Sequence, residues 1–305
     1  MTAVLVQEKD KADPGSPEWL QLITASKIPV ILGISRYQSQ YTLWHEMAGN
    51  VAPKPPAEST QDDWDYGHAA ELAAAEYWKF KNPGWRLSTS EVQYTRPDLP
   101  FPNAATIDRR ASRGKLRRIL EAKTARDLAE WGDDGSGDTP ADYMAQVVFQ
   151  QLITGWHNPA DIVLWPQYGK PKIYRVPYDE QIAWAMVDAA TAWMQTLADN
   201  EPPELDDSVS CYATVKALHP DIDGSTADID PHIALEFLDL STGLKAVKDR
   251  QRLAAAKVLD AMGNAQYANV GDTKIADRRP NGKGITLMPN YKASRTDIIT
   301  KETAA

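Results

Sequence analysis

The sequence predicts an α/β fold of the α+β kind, a mixed sheet flanked by helices, with a helical and β-hairpin extension at the C-terminal end. Three observations predict it. Apolar residues recur at helical spacing over 66–80 and 178–199; apolar runs of strand length fall at 85–95, 104–109 and 117–124; and Pro202-Pro203 begins an acidic loop, 201–208, that closes the first block. The domain plan is a flexible N-terminus over 1–15, a core over 16–200 and an appendage over 201–305.

The elements follow in order. Ser16-Pro17-Glu18-Trp19 reads as a helix start with Pro at the first helical position. Thr24-Ala25-Ser26 opens a short helix, 27–32, that stops at Gly33, and 39–48 forms another with Leu43, Trp44 and Met47 toward one side. The segment 53–63 is read as a polar loop, and the helix after it closes at Asn82-Pro83-Gly84. Within 117–124, side chains alternate, so Ile119, Glu121 and Lys123 share one face and Leu120, Ala122 and Thr124 the other. Thr139 as N-cap and Pro140 at the first position start a helix to about Thr154, on which Tyr143, Gln146, Val147 and Gln150 fall near one side. A hairpin joins 161–165 to 171–177. Beyond the core, 233–262 is helical, and 274–288 is a hairpin turning at Asn281-Gly282-Lys283-Gly284.

Composition narrows the function. With 305 residues and 43% hydrophobic content, the chain can bury a substantial core. Its single cysteine, Cys211, excludes an intramolecular disulfide framework, a four-cysteine zinc site and an iron–sulfur cluster, and fits a reducing, cytoplasmic setting. The opening segment lacks a basic lead, so it resembles neither a signal nor a transit peptide, and no stretch has the length to span a bilayer. Most of the ten tryptophans are expected to pack. The net charge of −9 argues against a nucleic-acid partner, yet residues 109–126 hold eight bases and one acid, a local +7.

That basic block encloses the residues that carry chemistry. Asp108 ends one apolar strand, and Glu121-Ala122-Lys123 follows on the next. Phosphodiester hydrolysis needs a nucleophilic water and neutralisation of the charge gathering on the phosphate, and Mg²⁺ or Mn²⁺ held by carboxylate and carbonyl oxygens supplies both. Asp108, Glu121 and the main-chain carbonyl of Ala122 are the candidate ligands. Lys123, on the face of Glu121, is read as orienting water and stabilising charge. An acid-any-lysine triplet alone arises by chance about once in a chain of this size. Two further elements strengthen it: His68 and Glu71, three apart near a helix start and able to reach one ion, and Gln146 on the helix after the strands.

In order, these elements resemble the YqaJ-like viral recombinases, relatives of lambda exonuclease within the PD-(D/E)xK nuclease superfamily. The resemblance covers about residues 18–176. It rests on Ile23-Thr24-Ala25-Ser26, Ile31-Leu32-Gly33-Ile34-Ser35-Arg36-Tyr37, Leu43-Trp44, Gly67-His68-Ala69-Ala70-Glu71, Thr106-Ile107-Asp108, Leu120-Glu121-Ala122-Lys123-Thr124, and Tyr143-Met144-Ala145-Gln146 followed by Gly155. It implies a restriction-endonuclease-like core and a Mg²⁺-dependent exonuclease that degrades one strand of linear duplex DNA from the 5′ end, leaving 3′ overhangs.

Further implications are a phage or prophage origin, a partner single-strand annealing protein of the RecT or Bet type, and a homo-oligomer, in lambda exonuclease a trimeric ring. By the same resemblance Asp108, Glu121 and Lys123 are catalytic, with Glu71 and Gln146 supporting them. Ser26, Lys27, Ser35 and Arg36 are placed to meet a 5′ phosphate, and Arg109, Arg117 and Arg118 to meet the DNA backbone. Two departures are visible: lambda-type relatives carry an arginine ahead of Ile-Thr-Ala-Ser where this chain has none, and many carry glycine where it has Arg109. The alternatives are a RecB-like or structure-specific endonuclease on the same core and a catalytically silent DNA-binding protein. In the appendage, Lys245, Lys248, Arg250, Arg252 and Lys257 admit two readings, a DNA-tracking or subunit-contacting helix and a solvated one.

Overall fold

The structure is a computed structural model that describes residues 3–55, 57–282, 284–294 and 296. Lys283 of the expected hairpin turn lies outside the described residues. The chain divides into two units, Met1–Asp221 and Ile222–Ala305.

The first unit begins with β1 (Val4–Leu5), α1 (Pro17–Leu20), β2 (Ile23–Thr24), α2 (Ile28–Ile31), α3 (Gln40–Met47) and α4 (Glu58–Lys81). It continues through β3 (Arg86–Leu87), β4 (Val92–Thr95), β5 (Asn103–Ile107), β6 (Arg109–Arg113), β7 (Leu116–Ala125), α5 (Ala141–Thr154), β8 (Ala160–Pro166), β9 (Lys172–Val176), α6 (Glu180–Asp199) and α7 (Val209–Leu218). Four strands form one sheet in the order β1-β4-β5-β2, and five form a second in the order β3-β6-β7-β8-β9. β7 runs parallel to β8 and antiparallel to β6, so the sheet is mixed.

The alternation along β7 separates two cores. Ile119 joins Val147, Phe149 and Leu152 of α5 on one face, and Leu120 and Ala122 join Ala74, Ala75 and Trp78 of α4 on the other. The layers are therefore helix, sheet, helix, with α5 against the face that carries Glu121.

Several boundaries differ from expectation for identifiable reasons. Residues expected to be a flexible leader add an edge strand, Val4 pairing with Thr95. α4 starts at Glu58, eight residues before the expected position, because the prolines of the preceding segment fall before its first turn and Glu58 favours the positive helix end. Pro140, not Thr139, is the N-cap of α5, and the Thr139 hydroxyl is buried without a hydrogen-bond partner. β6 is a strand hidden in sequence by its arginines: Arg109 and Ala111 are buried, and Gly114, at φ +59°, turns the chain back into β7. α7 packs on α3, where the Thr42 and Thr214 hydroxyls lie 2.8 Å apart, and this helix is what separates the observed division after 221 from the expected one at 200.

The second unit holds α8 (Pro231–Met262) and a sheet of β10 (Tyr267–Val270), β11 (Thr273–Asn281) and β12 (Gly284–Pro289), in that order. β10 makes the expected hairpin a three-stranded sheet. Among the described residues no helix is long and apolar enough to cross a membrane.

Candidate active site

Asp108 is the single residue between β5, which belongs to the four-stranded sheet, and β6, which belongs to the five-stranded one. The β6–β7 ladder ends at Arg109 opposite Leu120, so the chain bends away from β7 at Asp108 and leaves the Ala122 N–H without a ladder partner. The Asp108 carboxylate replaces that partner, Oδ2 accepting from Ala122 N at 2.7 Å. Because N–H and C=O of one strand residue point to the same edge, the Ala122 carbonyl faces this opening too.

Glu121 is buried and fully engaged. Its Oε1 accepts from Lys123 Nζ at 2.7 Å and Gln146 Nε2 at 2.8 Å, and its Oε2 from Gln150 Nε2 at 2.9 Å. Gln146 and Gln150 are one turn apart on α5, which packs on this face of β7. Gln150 is the site residue that the sequence reading did not assign; its spacing from Gln146 on the same helical face is the signal that could have found it.

Charges are crowded here. Burial and the neighbouring Glu121 carboxylate hold the Asp108 carboxyl well above the usual range, against the pull of Lys123 and the Ala122 N–H. Burial opposes the charge on Lys123, but Glu121 and Asp108 outweigh it and hold the proton more firmly than usual. Lys123 is thus an ammonium, 5.1 Å from the Tyr143 ring. Burial also raises Glu71, with Glu121 and Glu91 adding to the effect and His68 and Arg109 opposing it.

A cleft of about 880 Å³ opens at the C-terminal end of β7. Lys123, Ala122, Glu71, His68, Arg36 and Tyr143 are among the residues that line it. His68 is exposed and Glu71 half-buried. Trp44, Trp78, Trp85 and Trp131 pack in the interior, whereas Trp64 is exposed on the cleft wall. Among the described residues no group of three or more His, Cys, Asp or Glu side chains is arranged to hold an ion. The candidate donors that lie together are the Asp108 and Glu121 carboxylates, close enough to raise the Asp108 carboxyl, and the Ala122 carbonyl, with Glu71 acting on Asp108 as a further nearby acid. These are hard oxygens whose mutual repulsion a divalent cation relieves, and Mg²⁺ keeps several waters in such sites.

The residues assigned to DNA separate into two groups. Ser26 and Ser35 remain near the surface; Ser26 Oγ lies 3.0 Å from Thr24 Oγ1, and Ser35 Oγ accepts from Tyr37 N and Gln38 N. Arg36 lines the cleft while making a two-point ion pair with Asp142 and a third contact with Glu130. Arg117 is half-exposed and donates to the carbonyls of Gly114 and Leu116.

The other three are internal. Lys27 is 2% exposed; its Nζ donates to the carbonyls of Trp19, Leu20 and Leu22 at 2.7–3.2 Å and sits 4.0 Å over the Trp19 ring, so all three donors close the end of α1 and none faces a phosphate. Burial draws its pKa down to about 7. Arg109 is buried and donates to the Asp108 carbonyl at 2.6 Å. Arg118 donates to the wholly buried Asp161, which also accepts from Trp78 Nε1 and Arg175. These three side chains are turned to internal acceptors, Lys27 and Arg109 to main-chain carbonyls and Arg118 to Asp161.

The fold defines the class, a mixed five-stranded sheet between helices, and Asp108 meets Glu121-Ala122-Lys123 where the chain passes from one sheet to the other. Residues 18–157 match the model of the YqaJ-like viral recombinase domain. The chain is similar to the protein YqaJ of Bacillus subtilis (strain 168), 22% identical over 278 residues that cover 84% of this chain and 81% of the relative. Among solved structures it is similar to the alkaline exonuclease LHK-Exo of Laribacter hongkongensis, with TM-score 0.47 and 15% identity over 61% of this chain and 94% of the other. The same enzyme in complex with dAMP matches at TM-score 0.47 and 14% identity, over 62% and 94%.

Proposed function

We propose that this chain is a nuclease of the lambda exonuclease family, and specifically a divalent-metal-dependent 5′-3′ exonuclease on linear double-stranded DNA that leaves 3′ single-stranded overhangs. The observation that carries this is the Asp108, Glu121 and Lys123 constellation, braced by two glutamines beside the cleft. Asp108, Glu121 and the Ala122 carbonyl would hold Mg²⁺ or Mn²⁺, which supplies a nucleophilic water and neutralises charge on the phosphate. Gln146 and Gln150 fix the rotamer of Glu121. Lys123 presents an ammonium to the cleft wall, where it orients the water and offsets phosphoryl charge. The overhangs are substrates for a single-strand annealing protein in phage-type recombination inside a bacterial host cell. A homo-oligomer, a trimeric ring among the options, would keep duplex DNA threaded.

The test compares linear duplex, closed circular duplex and single-stranded DNA with Mg²⁺, beside a Glu121→Ala variant. Loss of the linear duplex alone, abolished by the substitution and by chelation, is the expected result. Nicking of the closed circle would assign an endonuclease, and equal activity in the variant would remove these residues from catalysis. Binding without cleavage would assign a silent DNA-binding protein.

A further inference from the structure

We propose that α8 pairs with α8 of a second copy of this chain as an antiparallel coiled coil. In the second unit, described by itself, none of the 32 residues of α8 is buried. Ile233, Phe237, Leu240, Leu244 and Val247 recur at alternating intervals of four and three residues and are 54–69% exposed. Gln251 and Ala254 continue the same spacing. A seam repeating every 3.5 residues is the pattern by which two helices interlock side chains, and one polar residue in such a seam fixes register. Leu235, Leu238 and Leu253 stand off this line. From Ala255 onward the helix is partly covered by its own unit, whereas 231–254 are exposed except for the half-buried Ala234.

Charge selects the partner and its direction. Residues 231–243 carry Glu236 and Asp239 and no Lys or Arg, whereas 244–262 carry Lys245, Lys248, Arg250, Arg252 and Lys257 against Asp249 and Asp260. A parallel pair would set acid over acid and base over base. An antiparallel pair sets the acidic half of each helix against the basic half of the other. In the register that places Leu244 against Val247 of the second copy, Phe237 meets Ala254, a large residue filling the space left by a small one. Leu240 meets Gln251, and Glu236 flanks Lys257. The occupant with this complementary charge and spacing is the same helix reversed.

The mass of the full-length protein, measured by sedimentation equilibrium or light scattering over a concentration series, tests the pairing. The Leu240→Glu, Leu244→Glu double variant is expected to halve the mass with unchanged helical circular dichroism, since both positions are exposed within the chain. Mild oxidation of an equal mixture of Phe237→Cys and Ala254→Cys chains is expected to trap a cross-linked pair, with neither variant cross-linking alone; the native Cys211 is buried. A wild-type mass of one chain, or a mass that the double variant does not halve, overturns the proposal. Self-cross-linking of Phe237→Cys, the mark of a parallel pair, overturns it as well.

Discussion

Gln150 binds Glu121 and the strand of Asp108 with one amide: its Nε2 donates to Glu121 Oε2 and to the Thr106 carbonyl, each at 2.9 Å. The group thus ties β5, two residues before Asp108, to the acid of β7. Gln150→Met keeps the volume and removes both links. Cleavage of linear duplex should fall about 10- to 100-fold, the usual effect of losing an outer partner of a metal-site ligand. The urea midpoint should fall, by about 1–3 kcal/mol in unfolding free energy, because the buried Glu121 Oε2 and the Thr106 carbonyl lose their donor, a cost offset in part by deletion of Gln150 Oε1, a buried acceptor with no partner. Wild-type turnover would show that the amide only fills space.

Asp108→Asn separates stability from chemistry. An asparagine oxygen can still accept the Ala122 N–H, so the bend between β5 and β6 is preserved. One of two neighbouring carboxylates is gone, however, and with it their repulsion. In metal-free buffer the variant should melt higher than the wild type while cleaving nothing with Mg²⁺, the trade expected where a site stores unfavourable charge. A lower melting temperature would mean that the Asp108 charge supports the fold.

What sequence revealed depended on whether a residue's local pattern carries its role. The face shared by Glu121 and Lys123 was legible, since alternation along a strand is local. The bend at Asp108 was not, because its cause is the transfer of the chain from one sheet to another, a long-range pairing. Gln150 shared a visible helical face with Gln146, yet its target lies 29 residues back in sequence. Of the +7 segment, the charge is visible in sequence, but the internal acceptors of Arg109 and Arg118, the carbonyl of Asp108 and the carboxylate of Asp161, are not.

Arg118 and Lys115 should therefore behave oppositely although both belong to that segment. Arg118 donates to Asp161 at 2.7 Å and stacks on Trp85, so Arg118→Glu sets a second carboxylate against a wholly buried one. The expected cost is about 3–5 kcal/mol in denaturant unfolding. Lys115 is exposed at the β6–β7 turn. Lys115→Glu should leave stability within about 0.5 kcal/mol and, if its ammonium meets a phosphate, lower the slope of log affinity against log salt by about 0.9. Equal unfolding midpoints for the two variants would contradict the assignment of Arg118 to the core.

Lys27 closes a helix end where a phosphate contact was expected. Lys27→Met leaves the carbonyls of Trp19, Leu20 and Leu22 without their donor, at a cost of about 2–3 kcal/mol. The salt dependence of DNA binding should not change. The pH profile adds a second readout. With its folded value near 7, below the ordinary lysine value of about 10.4, the unfolded chain binds the proton more tightly across that window. Wild-type stability therefore gains a rising component from pH 7 to about 10, and the variant lacks it, so the gap between the two proteins widens with pH. A gap that stays constant over the window would show that Lys27 keeps its full charge inside the fold.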